Sequence, residues 1–283
     1  MRVGLAQVRP MLGKLNENIA MHQEMIQRAK AENVDLLVFP ELSLTGYHLL
    51  DITYDVARNV ESEEIQQLVR LAEGIDIAFG FVESGADHRI FNSALYAAEG
   101  QVQHVHRKIY LPTYGMFDEA RYFGQGDTIR SFSTRFGQVG MLICEDMWHP
   151  STTYLLAQDG AQILLGLVNS PSRGVHATGL GNQESWHAII ESQSQFYGMV
   201  TCFSQRVGVE DGLIFSGGST VADPFGEIAP AAPMFEEALH IIDVDLDQIR
   251  RARYQMPLLR DENLDLTVRE LKRIIRQRTG GNA

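Results

Sequence analysis

Short apolar runs alternate along the chain with longer segments in which apolar residues recur at helical spacing. The apolar runs predict strands at residues 2–8, 34–39, 75–82, 138–143, 163–168, 199–203, 219–222 and 238–244. Two further strands, at residues 93–98 and 101–106, are predicted because they flank Glu99-Gly100, a two-residue hairpin turn. The helical spacing predicts helices at residues 16–31, 61–73, 154–158 and 184–196. This alternation favours an α/β fold in which helices cover a mostly buried sheet.

No linker, repeat or low-complexity segment divides the chain of 283 residues, so we predict a single domain spanning residues 1–283. The charged stretch at the C-terminal end, residues 254–283, has less apolar content than the rest of the chain. We interpret this stretch as an arm that packs on a partner subunit.

Composition narrows the range of functions. Apolar residues make up 45% and charged residues 21%, which is typical of a soluble globular protein. The formal net charge of −12 disfavours binding to nucleic acid or to an anionic membrane surface. The N-terminus lacks the apolar core of a signal peptide, and no run of about 18 apolar residues predicts a transmembrane helix. Cys144 and Cys202 are too few for a disulfide framework, so we expect free thiols and a cytoplasmic location.

The motifs give no indication of a metal or phosphate site. The nine histidines show no metal-ligand spacing, and the pair His104 and His106 has no third ligand. The glycine-rich stretch 212–218 lacks the Lys-Ser/Thr pair of a phosphate loop. We therefore expect no metal site.

Reactive side chains follow several of the predicted strands, at loop positions where rigid scaffolds present functional groups. Glu41 follows a short apolar strand, and a carboxylate desolvated there is a candidate general base. Lys108 lies in a cationic cluster after another strand, where one cation turned inward can stabilise an oxyanion or a thiolate. Glu119 lies among aromatic residues in the segment 117–123. Each of these charges also has an ordinary interpretation as a solvated loop or helix-end residue.

Cys144 ends the apolar run 138–143. A cysteine at such a place is most often an inert core residue, but a strand-to-turn position exposes its thiol. The acids that follow, Glu145 and Asp146, are expected to raise the thiol pKa unless a cation lies near. A reactive Cys144 therefore requires a cation from elsewhere, and Lys108 is the candidate. A Cys–His dyad stays open, because proximity in space cannot be read from the sequence.

Three of these segments, in their order along the chain, resemble the nitrilase superfamily of carbon–nitrogen hydrolases. They are Pro40-Glu41, Arg107-Lys108-x-x-Leu111-Pro112 and Cys144-Glu145. The resemblance extends from Gly4-Leu5-Ala6-Gln7 to Asp223-Pro224-x-Gly226, which is nearly the whole chain. It implies a four-layer α-β-β-α sandwich, usually paired into a homodimer, and a Glu-Lys-Cys triad that needs no metal or organic cofactor.

Carried onto this sequence, the resemblance implies that Cys144 is the nucleophile and Glu41 the general base. Lys108 and the backbone N–H of Glu145 would hold the tetrahedral oxyanion. Glu119 would orient Lys108 and the attacking water or amine. These roles predict an amidase that converts a small-molecule amide, such as glutamine or another ω-amide, to a carboxylic acid and ammonia through a cysteine thioester.

Other chemistries use the same triad. A nitrilase, an N-carbamoyl hydrolase and an acyltransferase that passes the thioester to an amine all stay open. The intact set of four residues argues against a non-catalytic binding subunit.

Within the superfamily, the segments 111–123 and 144–150 are most similar to the glutaminase domain of glutamine-dependent NAD synthetases. This sequence shows neither a synthetase domain nor an ATP-binding loop. It therefore predicts a free-standing amidase, or a glutaminase subunit that serves a separate ammonia-using synthetase. For the substrate pocket we expect Tyr114, Glu145, Ser170 and Arg173, with Arg173 as a bidentate partner for a substrate carboxylate.

Overall fold

The computed structural model describes residues 1–172, 175–176 and 179–279. The strands are β1 (Arg2–Gln7), β2 (Leu36–Val38), β3 (Asp76–Ser84), β4 (Ile90–Ala98), β5 (Gln101–Arg107), β6 (Phe132–Thr134), β7 (Gly137–Ile143), β8 (Ile163–Val168), β9 (Val175–His176), β10 (Gly179–Leu180), β11 (Val200–Gln205), β12 (Val207–Glu210), β13 (Leu213–Ser216), β14 (Thr220–Ala222) and β15 (Ala238–Asp243). The helices are α1 (Leu15–Ala31), α2 (Thr53–Val56), α3 (Glu63–Arg70), α4 (Pro150–Gln158), α5 (Gly181–Tyr197), α6 (Asp247–Gln255), α7 (Leu258–Asp261) and α8 (Leu264–Arg278). Every helix and strand predicted from the apolar pattern is present within a few residues of its predicted ends.

The strands form two main sheets. In the first sheet the order is β15-β1-β2-β3-β4-β5, with β1, β2 and β3 parallel to one another and the other pairs antiparallel. In the second sheet the order is β14-β11-β8-β7-β6, with β7, β8 and β11 parallel. Because parallel strands end at the same edge of a sheet, the loops that follow β7 and β8 lie side by side.

The two sheets pack face to face, and the alternation of side chains along β1 distinguishes the two faces of its sheet. Val3 and Leu5 belong to the core between the sheets, together with Met141 of the second sheet. Ala6 faces the other way, into the core under α1 and α3. On the far side, α4 and α5 cover the second sheet, with Leu156 of α4 and Ile190 of α5 buried against it. The expected four-layer α-β-β-α sandwich is therefore confirmed.

The apolar pattern does not predict the hairpin of β12 and β13. Its turn consists of Asp211 and Gly212, with φ of +47° and +79°. A two-residue hairpin turn of the type favoured by strand twist needs positive φ at both positions, and Asp-Gly is a preferred pair for it. The dipeptide Asp211-Gly212 is the sequence signal for this hairpin, and it overlaps the start of the glycine-rich stretch 212–218.

The C-terminal stretch is largely helical, and several apolar residues of its last helix lie on one face. α6 extends across the expected arm boundary at residue 254, and Leu259 of α7 still packs against the core between the sheets. α8 has no buried residue. Its exposed apolar residues Leu264, Val268, Leu271 and Ile275 recur at intervals of four, three and four positions, which places them on one face.

Two absences concern only the part of the chain that the structure describes. None of its helices has the length and apolarity needed to cross a membrane. None of its His, Cys, Asp and Glu side chains form a group of three or more that could hold a metal ion.

Candidate active site

The ends of three strands and one loop bring four functional side chains together in the interior. Glu41 lies shortly after β2, Lys108 follows β5 directly, and Cys144 follows β7 directly. Glu119 begins a short 3-10 turn, Glu119–Arg121, in the loop between β5 and β6. Lys108 Nζ donates to Glu41 Oε1 at 2.6 Å and to Glu119 Oε1 at 2.8 Å. All four residues are buried, and the charges of Glu41, Lys108 and Glu119 all act on the Cys144 thiol. The structure therefore brings together every side chain that the sequence singled out as a catalytic candidate.

The position of Glu41 depends on a glycine in the neighbouring strand. A Cβ added at Gly80 in β3 would lie 2.3 Å from the Leu42 nitrogen and 2.8 Å from the Glu41 carbonyl carbon. Only a residue without a side chain permits this close approach. The chain can therefore turn inward after β2, and Leu42 takes a φ of +46° in that turn.

Cys144 begins a second 3-10 turn, Cys144–Trp148, with an uncommon backbone conformation. Its φ of +43° lies in the left-handed region, which costs a residue with a side chain about 1–2 kcal/mol. The fully buried Asp146 stabilises this turn, because Oδ2 accepts the backbone N–H of Ile143 at 3.1 Å and lies 2.9 Å from His106 Nε2. Its Oδ1 accepts the backbone N–H groups of the two residues after Lys108, both at 2.9 Å. Asp146 thus ties the Cys144 turn to both sides of Lys108.

Burial raises the pKa of the Cys144 thiol well above its usual range, and the negative charge of Glu41 raises it further. Lys108 lowers the pKa, Glu119 raises it, and the backbone N–H of Asn169 lowers it through a hydrogen bond to the sulfur. The net effect is a thiol that keeps its proton at neutral pH until a base removes it.

Glu145 and Asp146, which the sequence led us to expect would raise the thiol pKa unless a cation lay near, are not among the groups that shift it most, and both side chains have other partners. Asp146 accepts the four hydrogen bonds of the turn just described, away from the sulfur. The Glu145 carboxylate accepts a hydrogen bond from the Tyr114 hydroxyl at 2.9 Å. The carboxylates that act on the thiol come from distant parts of the chain instead.

The two carboxylates keep Lys108 protonated. Burial alone would lower the pKa of Lys108, but the charges of Glu119 and Glu41 more than offset this, and its pKa lies well above the ordinary value. Burial raises the pKa of Glu119 to about 7, although the charge of Lys108 opposes the shift. At neutral pH the site therefore holds a lysine cation and a neutral thiol beside a glutamate close to its own titration midpoint.

Tyr47, a residue that the sequence did not single out, holds Glu119 from another side. The Tyr47 hydroxyl donates to Glu119 Oε1 at 2.6 Å. The backbone N–H of Tyr47 donates to Glu210 at the end of β12, and Glu210 pairs with the fully buried Arg206 at 2.7 Å. The hairpin that the apolar pattern did not predict therefore anchors the loop that orients Glu119.

Two asparagines that the sequence did not single out complete the surroundings of Glu41. Asn92 Nδ2 donates to Glu41 Oε1 at 2.8 Å, and the backbone N–H of Asn169 donates to Glu41 Oε2 at 2.9 Å. Asn169 Nδ2 also donates to the Glu41 carbonyl at 2.8 Å. The available signals were an amide in the mostly apolar strand β4 and an amide directly after β8.

The expected pocket residues lie in different surroundings. Tyr114 and Glu145 are in contact, and Tyr114 is exposed to solvent. Ser170 lies after β8, where its backbone N–H donates to the Gln205 side chain at 2.9 Å. Arg173 lies outside the described residues.

Comparison with known proteins gives two kinds of relative, the first of which shares substantial sequence identity. The chain is 32% identical over 253 residues to the glutamine-dependent NAD(+) synthetase of Thermotoga maritima, covering 88% of this chain and 42% of that protein. The solved structure of the glutamine-dependent NAD+ synthetase of Acinetobacter baumannii in complex with ADP superposes with a TM-score of 0.78 at 34% identity. This match covers 88% of the present chain and 46% of the synthetase. The chain thus spans less than half the length of these relatives.

The second kind of relative shares the fold over its full length at lower identity. The carbon–nitrogen hydrolase of Helicobacter pylori superposes with a TM-score of 0.85 at 24% identity, covering 96% of this chain and 99% of that one. A double mutant of an amidase from Nesterenkonia sp. in complex with acrylamide superposes with a TM-score of 0.80 at 20% identity, covering 95% and 96%. The family model described as carbon–nitrogen hydrolase matches residues 2–254. Since that match covers most of the chain and includes the whole site, this protein is a member of the carbon–nitrogen hydrolase family.

Proposed function

We propose that this protein is a thiol-dependent amidase that hydrolyses a small-molecule primary amide to a carboxylic acid and ammonia. The observation that carries the proposal is the buried arrangement of Glu41, Lys108 and Glu119, whose charges act on the thiol of Cys144. Burying a lysine and two carboxylates is costly for a protein core, so such a cluster indicates a functional site. Acyl transfer through a thioester uses each of these groups.

In the first step the sulfur of Cys144 attacks the carbonyl carbon of the amide. The thiol carries its proton at neutral pH because its pKa is raised, so this proton must leave as the S–C bond forms. Glu41 is the base in our proposal, and it receives the proton as the carbonyl becomes a tetrahedral oxyanion. General-base help of this kind contributes about 10²–10⁴-fold in rate.

Lys108 and the backbone N–H of Glu145 are the proposed donors to the oxyanion. Lys108 suits this role because Glu119 and Glu41 keep its ammonium group charged inside the protein. Donors fixed in a site that excludes water act without the reorganisation that water would require, and each is worth roughly 3–4 kcal/mol.

The intermediate collapses when the C–N bond breaks and Glu41 passes its proton to the departing ammonia. Water then adds to the thioester while Glu41 again acts as base. The S–C bond breaks, the carboxylic acid leaves, and Cys144 regains its proton. The complete cycle converts amide and water to acid and ammonia, using only side chains, substrate and water.

For the substrate we propose glutamine or another ω-amide. Two relatives that match most of this chain are named as glutamine-dependent synthetases. The Glu145 carboxylate, oriented by Tyr114, would pair with a substrate ammonium group. Ser170 would line the pocket, and Arg173 would pair with a substrate carboxylate.

Release of ammonia from a panel of amides tests the proposal. Glutamine, asparagine and simple aliphatic amides are assayed beside nitriles and N-carbamoyl compounds, each with the wild type and with Cys144→Ala. We expect ammonia from the ω-amides, formation of a hydroxamate when hydroxylamine is added, and neither product with the variant. Activity confined to nitriles or carbamoyl compounds, turnover that requires an amine acceptor, or an active Cys144→Ala enzyme would contradict the proposal.

We also propose that the exposed apolar face of α8 packs on a second copy of this chain. α8 contains five cationic residues (Arg269, Lys272, Arg273, Arg276 and Arg278) and two acidic ones, whereas the whole chain carries a formal net charge of −12. A basic helix is thus attracted to the acidic surface of another copy. Sedimentation velocity should give a dimer for the wild type and a monomer for the double variant Val268→Asp/Leu271→Asp. The same oligomeric state for both proteins would contradict this proposal.

A further inference from the structure

The two oxygens of the Glu41 carboxylate have different surroundings. Oε1 accepts two side-chain hydrogen bonds, from Lys108 Nζ at 2.6 Å and from Asn92 Nδ2 at 2.8 Å. Oε2 accepts the backbone N–H of Asn169 at 2.9 Å. The same N–H also interacts with the sulfur of Cys144. Oε2 is therefore the oxygen that shares a neighbour with the thiol, and Oε1 is the one already occupied by two donors.

We propose that Asn92 is a positioning residue that, with Lys108, occupies Oε1 and so commits Oε2 to receive the thiol proton. This inference rests on the function proposed above. In the step concerned, the S–H bond of Cys144 breaks, an O–H bond forms at Oε2, and the sulfur electron pair forms the S–C bond with the substrate. The proton later leaves Oε2 with the departing ammonia, which restores the carboxylate.

An asparagine side chain is unfavourable in the apolar surroundings of Asn92, so we look to its hydrogen bond to Glu41 for its role. It is fully buried in β4, and its neighbours on the same face, Ala94 and Tyr96, belong to the apolar core between the sheets. Its Oδ1 is buried without a hydrogen-bond partner among the described residues. A buried acceptor that lacks a partner is destabilising, so an apolar residue of similar shape would suit the core at least as well.

The backbone of Asn92 makes a separate contribution that substitution leaves in place. The backbone N–H of Lys108 donates to the Asn92 carbonyl at 2.9 Å, which fixes the end of β5 against β4. A change of the side chain therefore removes the amide and leaves this backbone hydrogen bond in place. This separation allows the role of the amide to be measured.

Asn92→Leu is the variant that tests the proposal, because leucine keeps the approximate shape and removes the donor. We expect kcat for amide hydrolysis to fall about 10- to 100-fold with little change in KM, as for loss of a hydrogen bond to a charged group. The melting temperature should change little, because the lost hydrogen bond to Glu41, which keeps its bond from Lys108, is offset by removal of the Oδ1 that lacks a partner. A residue with only a structural role would give the opposite pattern.

The pH profile gives a second readout. Loss of a donor disfavours the charged form of a carboxylate, so the acid limb of kcat/KM should move to higher pH in Asn92→Leu. The titratable and charged groups that face Glu41, and that remain in the variant, are Lys108, Glu119, Cys144, Tyr47 and Arg206. Because these groups are unchanged, a shift of the limb reports the loss of the amide.

Ser93→Ala is the matched control. Ser93 is the next residue of β4, is equally buried, and donates to the carboxylate of Glu83 at 2.7 Å, outside the site. Its loss should lower the melting temperature and leave kcat unchanged.

An unchanged kcat in Asn92→Leu, or a loss of activity accompanied by an equivalent loss of stability, would overturn the proposal. If the leucine variant does not fold, Asn92→Ala is judged by the same criteria. A wild type that releases no ammonia from any amide refutes the proposed function instead, whereas an active wild type with an equally active Asn92 variant refutes only the role of Asn92.

Discussion

Cys144 and Cys202 are both free, both buried and both associated with the strands that flank β8, yet their surroundings differ. Burial alone raises the pKa of the Cys202 thiol to about 12. Burial also raises the pKa of Cys144, but there Glu41, Lys108 and Glu119 act as well. A raised pKa therefore does not distinguish the two thiols, and under the proposed function it is the base and the cation beside Cys144 that make it the reactive one.

The backbone differs in the same way. Cys202 lies within β11 and pairs in regular register with Leu165 and Val221. Cys144 lies after its strand, in the left-handed conformation that begins a 3-10 turn. Strain of this kind persists only where the surroundings hold it in place, and Asp146 provides that support at Cys144.

The largest expected difference between the two cysteines is in catalysis. Cys144→Ala should lower kcat by about 10⁴-fold or more, because no other group forms the thioester. Cys202→Ala should retain wild-type kcat per folded molecule. Steady-state ammonia release from the preferred amide checks both, and an equal loss in the two variants would remove the distinction.

Removal of Lys108 should take away the cation that the Cys144 thiol has beside it and that the Cys202 thiol lacks. Lys108→Met should lower kcat by about 10²–10³-fold, as for loss of an oxyanion donor. It should also lower the free energy of unfolding by about 3–5 kcal/mol, because Glu41 and Glu119 are left buried without their cation. Urea unfolding compares Lys108→Met, which leaves two carboxylates without a cation, with Lys108→Met/Glu119→Gln, which leaves one. The double variant should be the more stable. The reverse order would show that Glu119 does not depend on Lys108.

Glu119 should give the Cys144 site a pH dependence that Cys202 lacks. Its pKa is raised to about 7 from a usual value of 4.5. The folded protein therefore keeps a proton that the unfolded chain has lost, so this contribution to stability is complete below about pH 4.5 and is lost as the pH rises through about 7. Glu119→Gln should remove that slope from the stability profile, and should lower kcat about 10- to 100-fold because Lys108 loses an orienting partner. A stability profile identical to that of the wild type between these pH values would contradict the assignment.

The smallest expected difference between the two cysteines is in the free energy of unfolding when each thiol is exchanged for a hydroxyl. Cys202→Ser should lower the free energy of unfolding by about 1–3 kcal/mol, because a hydroxyl is buried among apolar neighbours. Cys144→Ser should lower it by less, because the backbone N–H of Asn169 already bonds to the sulfur position. Chemical unfolding of the two variants gives the comparison, and a larger loss at Cys144 would show that the thiol itself stabilises the turn.

The sequence predicted those parts of the site that stand next to a recognisable strand. Glu41 and Cys144 each follow an apolar run, and Lys108 follows the second strand of the hairpin at Glu99-Gly100, so the ends of these strands are readable without a structure. The directions of the side chains in the Cys144 turn are not readable, which is why Glu145 and Asp146 were expected to act on the thiol. The turn begins with a positive φ at Cys144, and in it the Glu145 side chain contacts Tyr114 while Asp146 bonds to backbone N–H groups.

The residues missed by sequence reasoning are those whose function depends on a distant partner. Asn169 and Glu41 are separated by 128 positions, and Tyr47 and Glu119 by 72. An amide directly after an apolar strand marks Asn169 as unusual, but no local pattern tells which distant residue an asparagine or a tyrosine contacts. The fold supplies it, because two sheets that pack face to face bring the ends of β2, β5, β7 and β8 to one place.

Competition between the two cysteines for a small electrophilic amide tests the central claim most directly. The folded enzyme is treated with 2-chloroacetamide, and the sites of modification are mapped by peptide mass spectrometry over time, for the wild type and for Glu41→Gln. The account predicts that Cys144 is modified first, that Cys202 stays unmodified while the fold is intact, and that Glu41→Gln slows the reaction at Cys144. Modification of both cysteines at similar rates, or a rate at Cys144 that does not change in Glu41→Gln, would contradict it.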